Sequence, residues 1–262
     1  MGEKFTRDDL NARAEKFRAK VVVKCRFTRP HAGGQPATEK SLEAFVQHHL
    51  GLDPESNEGK DVIARIMNEE IGERDDTPTG GELDEEKVYG VNVIRRNANG
   101  PFILEHMVKA CFKVAASRLG YFVQKRGSKG DLSEMTLVRA HGLSLKDPER
   151  PWEIHLTDAE GNPITTHYEL ISGSISSAQG KKSIQHHTEC TDEDCYFEFE
   201  YRWPANKIKK NEMLDIVAVI GNIGIGSTRS LNYSKFEVVE GEIEVSKEKA
   251  ACGSMVVMSR RN

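Results

Sequence analysis

CYFEFEYRW, residues 195–203, decides the fold class. Cys195, Phe197, Phe199, Tyr201 and Trp203 alternate with Tyr196, Glu198, Glu200 and Arg202. A period of two is that of a strand with one buried face. Working outward, residues 207–220 fit an amphipathic helix through Met213, Leu214 and Val217. A glycine loop follows, GNIGIGSTRS (221–230), and SKFEVVEGEIEV (234–245) closes the ordered part as a strand. Earlier in the chain, AKVVVKCRF (19–27) is another period-two strand: Ala19, Val21, Val23, Cys25 and Phe27 on one face, with Lys20, Lys24 and Arg26 on the other.

Between these ends the signals are shorter. Residues 3–18 suggest a polar helix or arm. The turn RPHAGGQPAT (29–38) leads into a helix capped by Thr38 or Ser41 and running to about Leu50. A helix is expected near 59–72 and a strand over VYGVNVIRR (88–96). Pro101 opens a helix to about Gly120, with Ile103, Met107, Cys111 and Val114 on one stripe. Two short strands are expected around RGSKGD within 121–142, and others within 151–172. SGSISSAQGKKS (172–183) is small and polar and reads as a loop. The pattern is strand–helix–strand early and again late. It predicts an α+β, ferredoxin-like (RRM-like) antiparallel sheet with helices on one face and insertions.

Charge divides the chain. Residues 53–87 hold thirteen acidic and four basic side chains, a net of -9, so the total of -4 leaves +5 for the rest. Residues 1–30 alone carry nine basic and four acidic groups, +5. An acidic excursion on a weakly basic body is expected: a core at 1–52 and 88–250, an acidic insertion at 53–87 and a flexible tail at 251–262. No apolar run reaches the ~18 residues a membrane helix needs. The start, MGEKFTRDDLNARAEKF, is charged where a signal peptide is apolar. Five cysteines, an odd count, fit a reducing cytoplasm better than a disulfide scaffold.

Three places could carry chemistry. The first is the glycine loop, where Gly221, Gly224 and Gly226 precede Ser227, Thr228 and Arg229. Backbone amides in such a loop can cradle an anion, and Arg229 can grip a phosphate. It is neither a Walker A loop nor a GxGxxG fingerprint, and a tight helix-to-strand turn also explains it. The second is the cationic face of Lys20, Lys24 and Arg26, extended by Arg29 and His31. It is either a platform for single-stranded RNA or a solvated sheet face. The third is His186, His187, Cys190 and Cys195, four potential zinc ligands within ten residues. A structural zinc is the cofactor they raise, although adjacent histidines rarely share an ion and Cys195 also fits its strand's apolar face. His106 and Cys111 show no partner for catalysis.

FEFEYRWP (197–204), a helix, and then IGNIGIGSTRSLNYSKFEVVEGEIEV (220–245) resemble the end of the repeat-associated mysterious protein (RAMP) superfamily, ferredoxin-like subunits of CRISPR effector complexes. There a helix runs into a glycine-rich loop with serine and arginine, here Ser227, Arg229 and Ser230. RRNANGPFILEHMVKACFKVAA (95–116) is similar to the family's Gly-Pro-x-Ile helix opening, with Gly100, Pro101, Ile103 and Lys109. The chain departs in having Ala110 after Lys109, and Asn232 to Lys235 where the family has a further glycine. The resemblance implies a subunit that binds guide RNA, copies of itself, other effector subunits and target nucleic acid. The RNA contacts implied are Lys20, Lys24, Arg26, Arg29, Lys109, Gly224, Gly226, Ser227 and Arg229. Some members cut target RNA with an acidic residue after the first strand; TRPHAGGQPAT (28–38) has none. A phosphate- or nucleotide-binding enzyme using the glycine loop, and a structural assembly protein of the same fold, are the alternative readings.

Overall fold

A computed structural model describes residues 18–37, 42–43, 46–71, 88–121, 136–177, 180–204, 208–226 and 231–244. In chain order these form β1 (Arg18–Phe27), β2 (Gln35–Pro36), α1 (Asn57–Arg65), β3 (Val88–Val93), β4 (Arg96–Asn97), β5 (Gly100–Leu104), α2 (Glu105–Arg118), β6 (Leu137–Ala140), β7 (Glu153–His155), β8 (Thr166–Ser177), β9 (Gly180–Thr191), β10 (Tyr196–Pro204), α3 (Lys210–Ile223) and β11 (Phe236–Glu244). The fold is a mixed α+β one built largely on antiparallel sheets. Among the described residues no helix is long and apolar enough to cross a membrane.

The main sheet has the order β11-β1-β10-β6, and each neighbouring pair is antiparallel. Taken along the chain, this layer runs β1, α2, β6, β10, α3, β11, so the fourth strand lies beside the first and the third between the first and second. Alternation in β1 and β10 buries Ala19, Val21, Val23, Cys25 and Phe27 together with Phe197, Phe199, Tyr201 and Trp203. Helices α2 and α3 cover that face through Val108, Cys111, Phe112, Met213, Ile216 and Ile220. The Phe112 ring stacks on Tyr201 with centroids 4.0 Å apart. The Cys111 thiol donates to the Ile220 carbonyl across 3.3 Å and ties the two helices. Each large side chain so buried contributes roughly 1.5–3 kcal/mol.

Two segments fold otherwise than their local sequence predicts. The helix expected from Pro101 begins at Glu105, because Gly100–Leu104 is strand β5. Its Phe102 and Ile103 are both buried, and β5 pairs with β4 on one side and β7 on the other. Two-sided burial defeats a helix start that proline favours. The Glu105 amide instead donates to the Trp152 carbonyl at 3.0 Å, in place of a side-chain cap. Of the polar stretch 172–183, expected as a loop, residues 172–177 and 180–183 are strand: β8 and β9 pair from Thr166↔Thr191 to Ser177↔Gly180. The unbroken ladder satisfies backbone groups that weak side-chain patterning leaves open.

The β8–β9 pair joins a second sheet, β2-β3-β9-β8, in which β3 and β9 run parallel. The described part of the acidic stretch packs on it. Ser56 caps α1 by accepting from the Gly59 amide at 3.0 Å, and Ile66 and Ile71 beyond the helix bury against Val91 and Val93. Residues 72–87, the expected tail at 251–262 and the N-terminal arm before Arg18 lie outside the described residues.

Candidate nucleic-acid interface

The open face of the main sheet is not the cationic strip its first strand suggests. Cross-strand register places Lys20 between Arg202 and Glu244, Lys24 between Glu198 and Glu240, and Arg26 between Tyr196 and Glu237. Lys20 Nζ lies 3.1 Å from Glu244, and Lys24 Nζ lies 3.5 Å from Glu198 and over the Tyr196 ring. Arg26 pairs with Glu237 and, at 3.3 Å, with Asp194. Arg29 reaches Glu193 at 3.7 Å, and Lys109 reaches Glu105 at 3.0 Å along α2. The strand's own sequence shows only the cations; the carboxylates come from β10 and β11, whose register no local pattern reveals. His31 does not extend the positive charge either. It is 2% exposed, and burial lowers its pKa to about 4 from the usual 6.5, so the ring is neutral.

The four potential zinc ligands do not come together. His186 and His187 are consecutive in β9 and so point to opposite faces. Cys190 is buried with Ala32 and Ile171, whereas Cys195 belongs to the main core beside Phe197. Among the described residues no three His, Cys, Asp or Glu side chains are grouped to hold a metal ion.

A cleft of about 340 Å3 forms instead where three remote segments meet. The turn after β1 supplies His31, Gly33 and Gly34, and β2 supplies Gln35; the link from β3 to β4 supplies Arg95, β5 and α2 supply Phe102, His106 and Met107, and the glycine loop supplies Gly226. Two glycines make this possible. A Cβ on Gly33 would stand 2.2 Å from the Val93 carbonyl carbon, so only glycine lets the turn lie on β3. Gly226, which lines the cleft, has φ +88°, a left-handed conformation that favours glycine. Gly224, two residues earlier, closes α3 with φ 76° and its amide on the Ile220 carbonyl at 3.2 Å, and Gly221 lies inside the helix. Ser227 and Arg229 fall outside the described residues.

Backbone bonds hold the walls together. The Ser234 amide donates to the Pro30 carbonyl at 2.8 Å, and the Ile225 amide to the Ser234 carbonyl at 3.1 Å. Behind the turn, buried Glu189 accepts from the Ile94 amide at 2.8 Å and pairs with Arg96, while its own carbonyl accepts from the Gly33 amide at 2.9 Å.

The chemistry of the wall suits an anion. The described residues that line it include no Asp or Glu. Arg95 Nη2 donates to Gln35 Oε1 at 2.6 Å. A guanidinium can only donate, which turns the other end of the amide, Nε2, away from Arg95. Gln35 is 5% exposed, and this nitrogen has no hydrogen-bond partner among the described residues. An unmatched buried donor costs about 1–3 kcal/mol. Sequence reading missed Gln35 and Arg95 because nothing local shows that the turn after β1 and the segment after β3 meet. The double glycine beside Gln35 was the one local signal.

No protein-family model matches the chain, and no curated protein matches it. Among solved structures, it is similar to a chain in the cryo-EM structure of the Type III-B Cmr-beta bound to cognate target RNA, at 13% identity and a TM-score of 0.38. The match covers 90% of this chain and 64% of that one, so the present chain spans a little under two thirds of that neighbour's length.

Proposed function

We propose that the chain is an RNA-binding backbone subunit of a CRISPR ribonucleoprotein, of the RAMP type that its C-terminal motif resembles. One observation carries this reading: the turn after β1, the β5–α2 corner and the glycine loop converge on a single cleft. Those are the segments the resemblance singles out. The interleaved order of the main sheet supports a ferredoxin-like (RRM-like) arrangement for the core at 1–52 and 88–250.

Guide RNA lies in the cleft, beyond the end of β1, and not across the neutralised sheet face. Arg95 and the Gln35 amide meet phosphate oxygens, and the glycines let the RNA backbone approach the chain closely. Arg29 and Lys109 stand as outer phosphate contacts, and the resemblance adds Ser227 and Arg229 to the RNA-binding set. The role is binding without catalysis. The acidic lobe at 53–87 reaches the next copy or the target strand, and copies stack head to tail in the cytoplasm as a heterologous interface allows.

Titration with single-stranded RNA at two salt concentrations tests this. Affinity falls with salt by a slope of about -0.7 per neutralised phosphate. Absent or salt-insensitive binding overturns the proposal, and thermal stabilisation by a mononucleotide without RNA binding transfers the cleft to the nucleotide-binding enzyme reading.

A further inference from the structure

Beside the cleft lies a second cavity of about 290 Å3. The two share Arg95, Phe102 and His106, and the second adds Leu104, Arg150 and Trp152 together with Glu105 and Glu153, whose carboxylates are paired with Lys109 and with Arg150. Trp152 is 44% exposed, in contrast to the fully buried Trp203. A half-open indole leaves part of its π face available for stacking, since so large a ring is seldom fully buried.

Its backbone is held firmly. The Ala140 amide donates to the Pro151 carbonyl at 2.7 Å, the Glu105 amide to the Trp152 carbonyl at 3.0 Å, and the Glu153 amide to the Arg150 carbonyl at 3.1 Å. The neighbouring cation is fixed as well. Arg150 Nη1 lies 3.1 Å from Glu153, whose other oxygen accepts from Asn97 Nδ2 at 2.7 Å. The recess therefore offers an aromatic face, a restrained guanidinium and a wall in common with an anion-suited cleft. A ligand alternating flat π surfaces with negative charges matches that succession; an isolated anion has no use for the indole.

We infer that the side cavity is a nucleobase subsite, in which an unpaired base stacks on Trp152 while its phosphate occupies the adjoining cleft. The inference rests on the RNA-binding reading and deepens it. A preformed aromatic platform costs little ordering on binding and accepts any base, because every base has a π face.

The experiment uses the full chain, a 12-nucleotide oligoadenylate and an abasic ribose-phosphate oligomer of equal length. Because Trp203 is buried, quenching of indole emission by oligoadenylate reports Trp152. Trp152→Ala is expected to lose on the order of 10-fold in affinity for oligoadenylate and almost nothing for the abasic oligomer, with Trp152→Phe close to wild type. Equal affinity of Trp152→Ala and wild type for oligoadenylate overturns the subsite and leaves RNA binding standing. Equal losses on both oligomers also overturn it, since a stacking role needs a base. If neither oligomer binds the wild-type chain, the RNA-binding reading and the subsite fall together.

Discussion

His31 and Ser234, 203 positions apart in the chain, share a buried hydrogen bond of 3.0 Å between the imidazole Nδ1 and the serine hydroxyl. The same hydroxyl also accepts from the Ala32 amide at 3.4 Å. This contact pins the turn after β1, which lines the cleft through His31, to the segment between the glycine loop and β11. Ser234→Ala removes it while leaving buried polar partners behind. The expected cost is about 1–3 kcal/mol, read as a lower urea midpoint at an unchanged slope.

Acid should weaken the fold through His31. Burial holds its pKa at about 4, below the 6.5 of an exposed ring. Between those values the unfolded chain binds a proton that the native chain refuses, so stability is full above pH 6.5 and declines as pH falls towards 4. Below pH 4 both states are protonated and this contribution is flat. The loss is on the order of 3 kcal/mol. Denaturation curves for wild type and His31→Phe across this window check it: the variant should lack most of the slope.

Gly33→Ala is expected to be among the most damaging single-methyl additions. The new Cβ would meet the Val93 backbone at 2.2 Å, and backbone on both sides cannot yield as a side chain can. A loss of roughly 1–3 kcal/mol follows, with faster amide exchange at Gly33, whose amide bonds to Glu189.

Arg95→Ala and Lys24→Ala should separate the cleft from the sheet face. Arg95→Ala weakens single-stranded RNA binding by about 10-fold and lowers the salt slope by about 0.7. Lys24→Ala leaves RNA affinity within about twofold and costs at most about 1 kcal/mol of stability, because the lysine is partly exposed and its role is to balance Glu198. The reverse pattern would return the RNA to the face of β1.

Much of the architecture was legible in residues that act locally. The alternation in 19–27 and 195–203 defined β1 and β10 to within a residue, because period two follows from strand geometry alone. Helix α3 was legible as an element, but it runs three residues later than expected at both ends, takes in Gly221 from the expected loop, and leaves Leu214 of the expected stripe exposed. The pairing of β8 with β9 was hidden, since its stability comes from a ladder between two segments and not from the side chains of either. The start of α2 was hidden for a related reason: burial of Phe102 and Ile103 between β4 and β7 outweighs the helix signal of Pro101.

The sequence by itself determined which residues face the core of the main sheet, that a glycine loop links its last helix to its last strand, and that cations line one side of β1. Only the tertiary structure decided what those cations do. Register is a property of paired strands, and it set Glu198, Glu237 and Glu244 against them. It was likewise chain packing that joined Gln35, Arg95 and Gly226 in one wall, because an unmatched buried donor exists only once burial has removed its water.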